Sequence, residues 1–180
     1  MKKCRSLFAV WAAACLLVSL LAGTACATDL TDLAAEEEIT FAATFVYGED
    51  VITVIGGQPQ YVDLDSVPMR SGARTGIAYP IYLYSADGSL LLKRTVTLTV
   101  EENDDGTYSF GPARDWDWYT TNIADDVLLS GVKNTRISDT TAEHAFTWKW
   151  GDVSYRCTCT FTLDSNTGSF VMSGFTNEPR

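Results

Sequence analysis

Histidine is all but missing: His144 is the only one in 180 residues. Any Ser-His-Asp relay would have to use that single imidazole. The G-x-S-x-G elbow that presents such a serine does not occur. Gly56-Gly57 lacks the following Gly-Lys-Ser/Thr, so there is no phosphate-binding glycine loop. No acidic run completes a calcium loop, which needs alternating acids, a glycine and a distal Glu. No cofactor motif is present, and none is expected to be needed. Cysteine is scarce where it would matter. Cys4, Cys15 and Cys26 lie in the first 27 residues, which leaves Cys157 and Cys159. That count excludes a disulfide framework, so apolar burial has to hold the fold together. Bases are few, 13 against 23 acids, for a net charge of −10. Such a balance repels nucleic-acid backbones and anionic membrane surfaces, and the sequence shows no basic patch of the kind a nucleic-acid binder carries. There is no internal repeat and no low-complexity tract.

What is present begins at the N-terminus. Lys2, Lys3 and Arg5 precede an apolar run from Leu7 to Ala22, and Gly23, Thr24, Ala25, Cys26 and Ala27 close it. This is the layout of a bacterial export signal over residues 1–27. The run is shorter than the roughly 20 residues of a spanning helix. Two endings fit: cleavage before Thr28, or a lipoprotein box in which Cys26 carries the lipid. The expectation is therefore an extracytoplasmic protein, secreted or anchored at the cell surface, that meets the membrane only through its signal or a lipid on Cys26. Loss of residues 1–27 leaves ten bases against 23 acids, a net charge of −13. Residues 28–38 form an acidic leader, and 39–178 are expected to make a single β domain.

Period two dominates the rest of the chain. From Val153 to Leu163 the odd positions are Val, Tyr, Cys, Cys, Phe and Leu, while the even ones are Ser, Arg and Thr. Such a strand keeps one face in the core. Gly151-Asp152 suits a two-residue type II′ hairpin. It pairs Trp150 with Val153, Trp148 with Tyr155, Phe146 with Cys157 and His144 with Cys159. A loop over Ser165–Gly168 pairs Leu163 with Phe170 and Phe161 with Met172. Earlier, Asp87-Gly88 reads as a type I′ turn that pairs Leu83 with Leu92, Tyr79 with Val96 and Ile77 with Leu98. This register sets Arg94 opposite Ile81 on an apolar face, where it should meet an acid or reach the rim. The turn Asn103–Gly106 then pairs Val100 with Tyr108 and Leu98 with Phe110. Further strands are expected over Ile39–Tyr47, Val51–Ile55 and Tyr61–Leu64, and Asn122 is placed to cap a short helix over Ile123–Leu129. The fold class that results is all-β: a single antiparallel β-sandwich, or a partly closed meander barrel, of about eight strands with one short helix.

Three constellations carry chemistry. Cys157 and Cys159 lie on one strand face with Cβ atoms about 6.6 Å apart, too far for a disulfide. The register sets His144 beside Cys159, so the three are the candidate ligands for a soft metal; the same residues also fit a plain core role beside a rim histidine. The tryptophans pair as Trp116/Trp118 and Trp148/Trp150. Trp148 and Trp150 share the core face, whereas Trp116 and Trp118 sit in the least regular segment, where binding residues tend to gather. Extended, they would present two indoles to a sugar, with Asp115 and Asp117 accepting its hydroxyls and Arg114 and Tyr119 alongside. Paired carboxylates are the third: Asp63/Asp65, Asp104/Asp105, Asp115/Asp117 and Asp125/Asp126. A cleft holding such a pair would suit glycoside hydrolysis.

The expected function is an exported, non-enzymatic binding or interaction module whose partner is a glycan or another surface protein, not nucleic acid. Two alternatives stand beside it. One is a barrel carrier for a small apolar ligand, lined by residues such as Phe41, Phe45, Ile81, Val96 and Phe161. The other is a secreted hydrolase working through Asp115 and Asp117.

Overall fold

A computed structural model describes residues 38–62 and 74–180. The export signal, Cys26, all of the acidic leader except Glu38 and the pair Asp63/Asp65 lie outside the described residues.

Eleven strands form two antiparallel sheets, and no α-helix occurs among the described residues. The first sheet contains β1 (Phe41–Tyr47), β2 (Asp50–Gly56), β3 (Gln60–Val62), β4 (Arg74–Tyr84), β5 (Leu90–Glu102), β6 (Tyr108–Phe110) and β7 (Asp117–Thr121). Its order is β1-β2-β4-β5-β6, with β3 also on β4 and β7 also on β5. The second runs β11-β10-β9-β8, from β8 (Val127–Arg136), β9 (Thr141–Trp150), β10 (Val153–Leu163) and β11 (Phe170–Pro179). The all-β expectation holds, and the architecture falls between its two alternatives. One of the two sheets curls into a half-barrel, and β6 ties the two sheets together at one side. The N–H of Tyr108 donates to the Ser165 carbonyl at 2.8 Å, and that of Phe110 to the Asp139 carbonyl at 2.7 Å.

The parity argument explains why these strands face as they do. All four pairs expected across Gly151-Asp152 are present. Gly151 alone of the two turn residues has positive φ, as type II′ requires. Leu163 pairs with Phe170 and Phe161 with Met172, after which a bulge at Thr160/Phe161 brings Phe175 opposite Cys159. Three of the four expected registers hold and one slips. Leu83–Leu92, Tyr79–Val96, Ile81–Arg94 and Ile77–Leu98 are as expected, whereas Phe110 pairs with Val100 and Tyr108 with Glu102. The slip is two residues, so the apolar face is preserved.

Both tips in this region share one cause. Ser85–Ser89 and Asn103–Thr107 each close by bonding the glycine N–H back three residues, with Gly88 and Gly106 left-handed. Asp87 is not at positive φ, so its turn is not the type I′ form but a type I turn followed by a left-handed glycine. An Asp carboxylate locks each tip: Asp87 accepts from the Ser89 N–H at 3.1 Å and Asp105 from the Thr107 N–H at 3.0 Å.

The helix expected over Ile123–Leu129 is absent. Asn122 has φ 50, a left-handed conformation that cannot serve as a helix N-cap, and β8 starts at Val127. The nearest thing to a helix is a 3-10 turn at Ala113–Asp115.

One core fills the space between the sheets. Aromatic rings bridge it: Tyr79 of β4 meets Phe161 of β10 edge-on at 5.4 Å, Phe45 of β1 meets Phe175 of β11 at 5.7 Å, and Tyr47 meets Tyr155 at 5.5 Å. Each such pair adds about 1 kcal/mol beyond its area burial. On the opposite face of the first sheet, Tyr82 and Tyr84 stack at 6.4 Å beside Ile55 and are buried, whereas Leu91 belongs to the main core.

Candidate functional site

The two sheets meet through a polar contact as well as through rings. Arg94 stands on the core face of β5, opposite Ile81, and is 1% exposed. It neither meets an acid nor reaches the rim. Its Nε donates to Nε2 of His144 on β9 at 2.7 Å, and its Nη1 donates to the Thr120 hydroxyl at 2.8 Å. The guanidinium is clamped between two rings, Trp118 and Phe146, each with its centroid 4.6 Å from Cζ. Buried cations need compensation, and here two π faces and two acceptors supply it. Nη2 has no partner. Burial lowers the Arg94 pKa to about 10, which leaves it cationic at neutral pH.

His144 is fully buried and does not sit at a rim. Because Nε2 accepts from Arg94, the ring proton belongs on Nδ1, which donates to Oδ1 of Asn134 at 2.6 Å. Burial first, and the neighbouring guanidinium second, push the imidazole pKa down to about 3. His144 is thus a neutral spacer between Arg94 and Asn134.

No group of three His, Cys, Asp or Glu able to hold an ion occurs among the described residues, Cys157, Cys159 and His144 included. Cys157 and Cys159 are free and buried. The Cys157 thiol donates to Oδ1 of Asn177 at 3.0 Å and accepts from Nε1 of Trp148 at 3.1 Å. Burial raises the pKa of both thiols well above the usual range. Such groups stay protonated and do not act as thiolate ligands.

The aromatic segment is split. Trp116 caps the 3-10 turn and enters the core, 6% exposed and edge-on to Phe110 at 5.9 Å. Trp118, on β7 opposite Val96, is 41% exposed. The two indoles therefore do not make a double platform. Trp148 is fully buried, and Trp150 packs at the core edge with its Nε1 on Asp126 at 2.8 Å. Around Trp118, Tyr119 is exposed, and Asp117 is exposed with its carboxylate turned back onto the Trp118 N–H at 2.7 Å. Arg114 is exposed on the turn, with Nε 3.7 Å from the half-buried Asp115.

The residues expected to line a carrier cavity belong to the packing itself. Ile81, Val96 and Phe161 are core, with Phe41 and Phe45 against them. None of the five lines the depressions of about 310 and 220 Å³. Asp104 and Asp105 form a solvated hairpin tip, while Asp125 is exposed and Asp126 serves Trp150.

Sequence reasoning singled out Arg94 as an anomaly but not its partners. Thr120 and Asn134 lie on strands whose apolar alternation is weak, so nothing in the linear sequence tied them to it. Comparison with known protein families, with characterised proteins and with solved structures finds no match, so the functional reading rests on these residues alone.

Proposed function

We propose that this chain is an exported, non-catalytic binding module that contacts a glycan through Trp118. One observation carries the reading. Trp118 has two-fifths of its surface open, while one face of its indole is held by the buried Arg94 guanidinium. A flat ring fixed from below and open above suits stacking against the C–H face of a sugar, because little rotamer freedom is lost on binding. Asp117 and Tyr119 flank it with hydroxyl-directed groups, and Arg114 stands exposed on the preceding turn. The positive start and apolar run of residues 1–27 support export.

The test is a glycan array probed with the protein and with Trp118→Ala. The reading expects binding to a subset of cell-wall or surface glycans, reduced at least about tenfold in the variant. Absence of glycan binding, or binding that survives Trp118→Ala, overturns it.

A further inference from the structure

A depression of about 310 Å³ lies on the outer face of the second sheet. It is walled by Lys133, Arg156 and Arg180 and floored by Gly131, Ala145 and Thr147. The register makes it. Lys133 of β8 pairs with Ala145 of β9, and Arg156 of β10 pairs with Thr147. The middle strand thus contributes two small side chains between long cationic ones. A bulge in β8 between Ser130 and Lys133 widens the trough. Gly131 occupies the left-handed position there, φ 56, and a Cβ on it would stand 3.5 Å from the Thr147 hydroxyl. Arg180 completes the wall, with its N–H on the Ser154 carbonyl at 2.8 Å.

The charge is out of keeping with the rest of the molecule. The chain as a whole is −10, yet this lining holds three cationic side chains and no acidic one. Glu178 stands opposite Arg156 in the register. Even so, no ion pair engages Lys133, Arg156 or Arg180 among the described residues. Like charges converging without counter-ions raise the local positive potential and attract an anion. The volume is at the low end for ligand sites, enough for about one sugar-sized unit. It is too small, and the cations too few, for a nucleic-acid track.

We propose that this trough is an oxyanion-binding site for a phosphate- or carboxylate-bearing ligand, with Lys133 and Arg156 as its charged walls. Arg156 offers a planar fork that matches either oxyanion, and Lys133 a mobile point charge. The site is separate from Trp118 and does not depend on the glycan reading.

Titration calorimetry on the purified protein tests it, with inorganic phosphate and a trimeric uronate as probes, at low ionic strength where screening is weak. At least one probe binds saturably and weakens as salt is added. Arg156→Gln and Lys133→Gln each lower its affinity at least about tenfold. Ala145→Leu, which fills the floor without changing charge, does the same. Lys93→Gln removes one positive charge from the first sheet and leaves the affinity within about twofold. Binding of phosphate alone assigns a phosphoryl ligand, and binding of the uronate alone a carboxylated sugar. Failure of both probes to saturate, or affinity kept in Arg156→Gln and Ala145→Leu, overturns the proposal. Unfolding midpoints of the variants show that each remains folded when tested.

Discussion

Arg94 reaches out of the first sheet and donates through Nε to Nε2 of His144 in the second, 2.7 Å away, with neither residue open to solvent. A buried cation normally meets a carboxylate. Here the acceptor is a neutral imidazole, itself fixed by Asn134, so a charge sits at the sheet interface without a formal counter-charge. This arrangement also sets the stage for Trp118, whose ring rests on that charge.

A pH dependence follows from the direction of the histidine shift. In the unfolded chain the imidazole takes a proton below about 6.5. In the folded protein it resists protonation down to about 3. Between those values the unfolded state binds more protons, so acid favours unfolding. The His144 contribution is complete above pH 6.5 and falls by up to about 1.4 kcal/mol per pH unit on the way down. Hydrogen bonds at the hairpin tips hold Asp87, Asp105 and Asp164 below the usual carboxylate range, and they add losses of their own at lower pH. Urea midpoints between pH 4.5 and 6.5 separate the two. The wild-type slope should exceed that of the double variant Arg94→Met/His144→Phe, and equal slopes would count against a buried neutral ring.

The same pair makes a double-mutant cycle informative. His144→Phe leaves the Arg94 charge without its Nε acceptor and should destabilise by about 3–5 kcal/mol, and Arg94→Met completes the cycle. Arg94→Met/His144→Phe removes the charge and its partner together and should cost much less than the single change, because an apolar pair has nothing left to desolvate. Strict additivity in denaturant unfolding would show that the two residues do not act as a unit.

Much of this interface was legible in the chain. Alternation over 144–150 and 153–163, joined by Gly151-Asp152, sets the β9–β10 register and puts His144 on the inward face. The β4–β5 register sets Arg94 inward too. What the linear pattern does not contain is the distance between the sheets, so it gives no sign that the two inward polar residues meet. The stretch from Gly111 to Glu143 was opaque for a different reason. β7 is a short edge strand with four of its five residues exposed, and the bulge at Gly131 shifts the parity of β8 midway. Alternation fails in both, and the left-handed Asn122 excludes the helix expected over Ile123–Leu129.

The tryptophans at 116 and 118 should part company under mutation. Trp116→Ala removes a large ring from the core and should cost about 3–5 kcal/mol. Trp116→Phe should cost much less, since it keeps the contact with Phe110 and deletes an indole N–H that has no partner. Trp118→Ala gives up its stacking on Arg94, about 2 kcal/mol or less, and keeps the fold. Thermal unfolding ranks the three, and a larger loss at 118 than at 116 would contradict the placement of the rings.

Cys157 and Cys159 should behave as inert core groups. A water-soluble thiol reagent at neutral pH should modify neither in the native protein and both after denaturation, since burial keeps the thiols protonated and out of reach. Rapid native labelling would mean that this face of β10 opens readily.

With a single histidine in the chain, its imidazole gives one set of ring nitrogen signals. Long-range nitrogen–proton spectra recorded from pH 5 to pH 8 therefore report directly on the contact between the sheets. The structure predicts one unchanging neutral tautomer, protonated at Nδ1 and bare at Nε2. A ring that titrates near pH 6.5, or that carries its proton on Nε2, would contradict it.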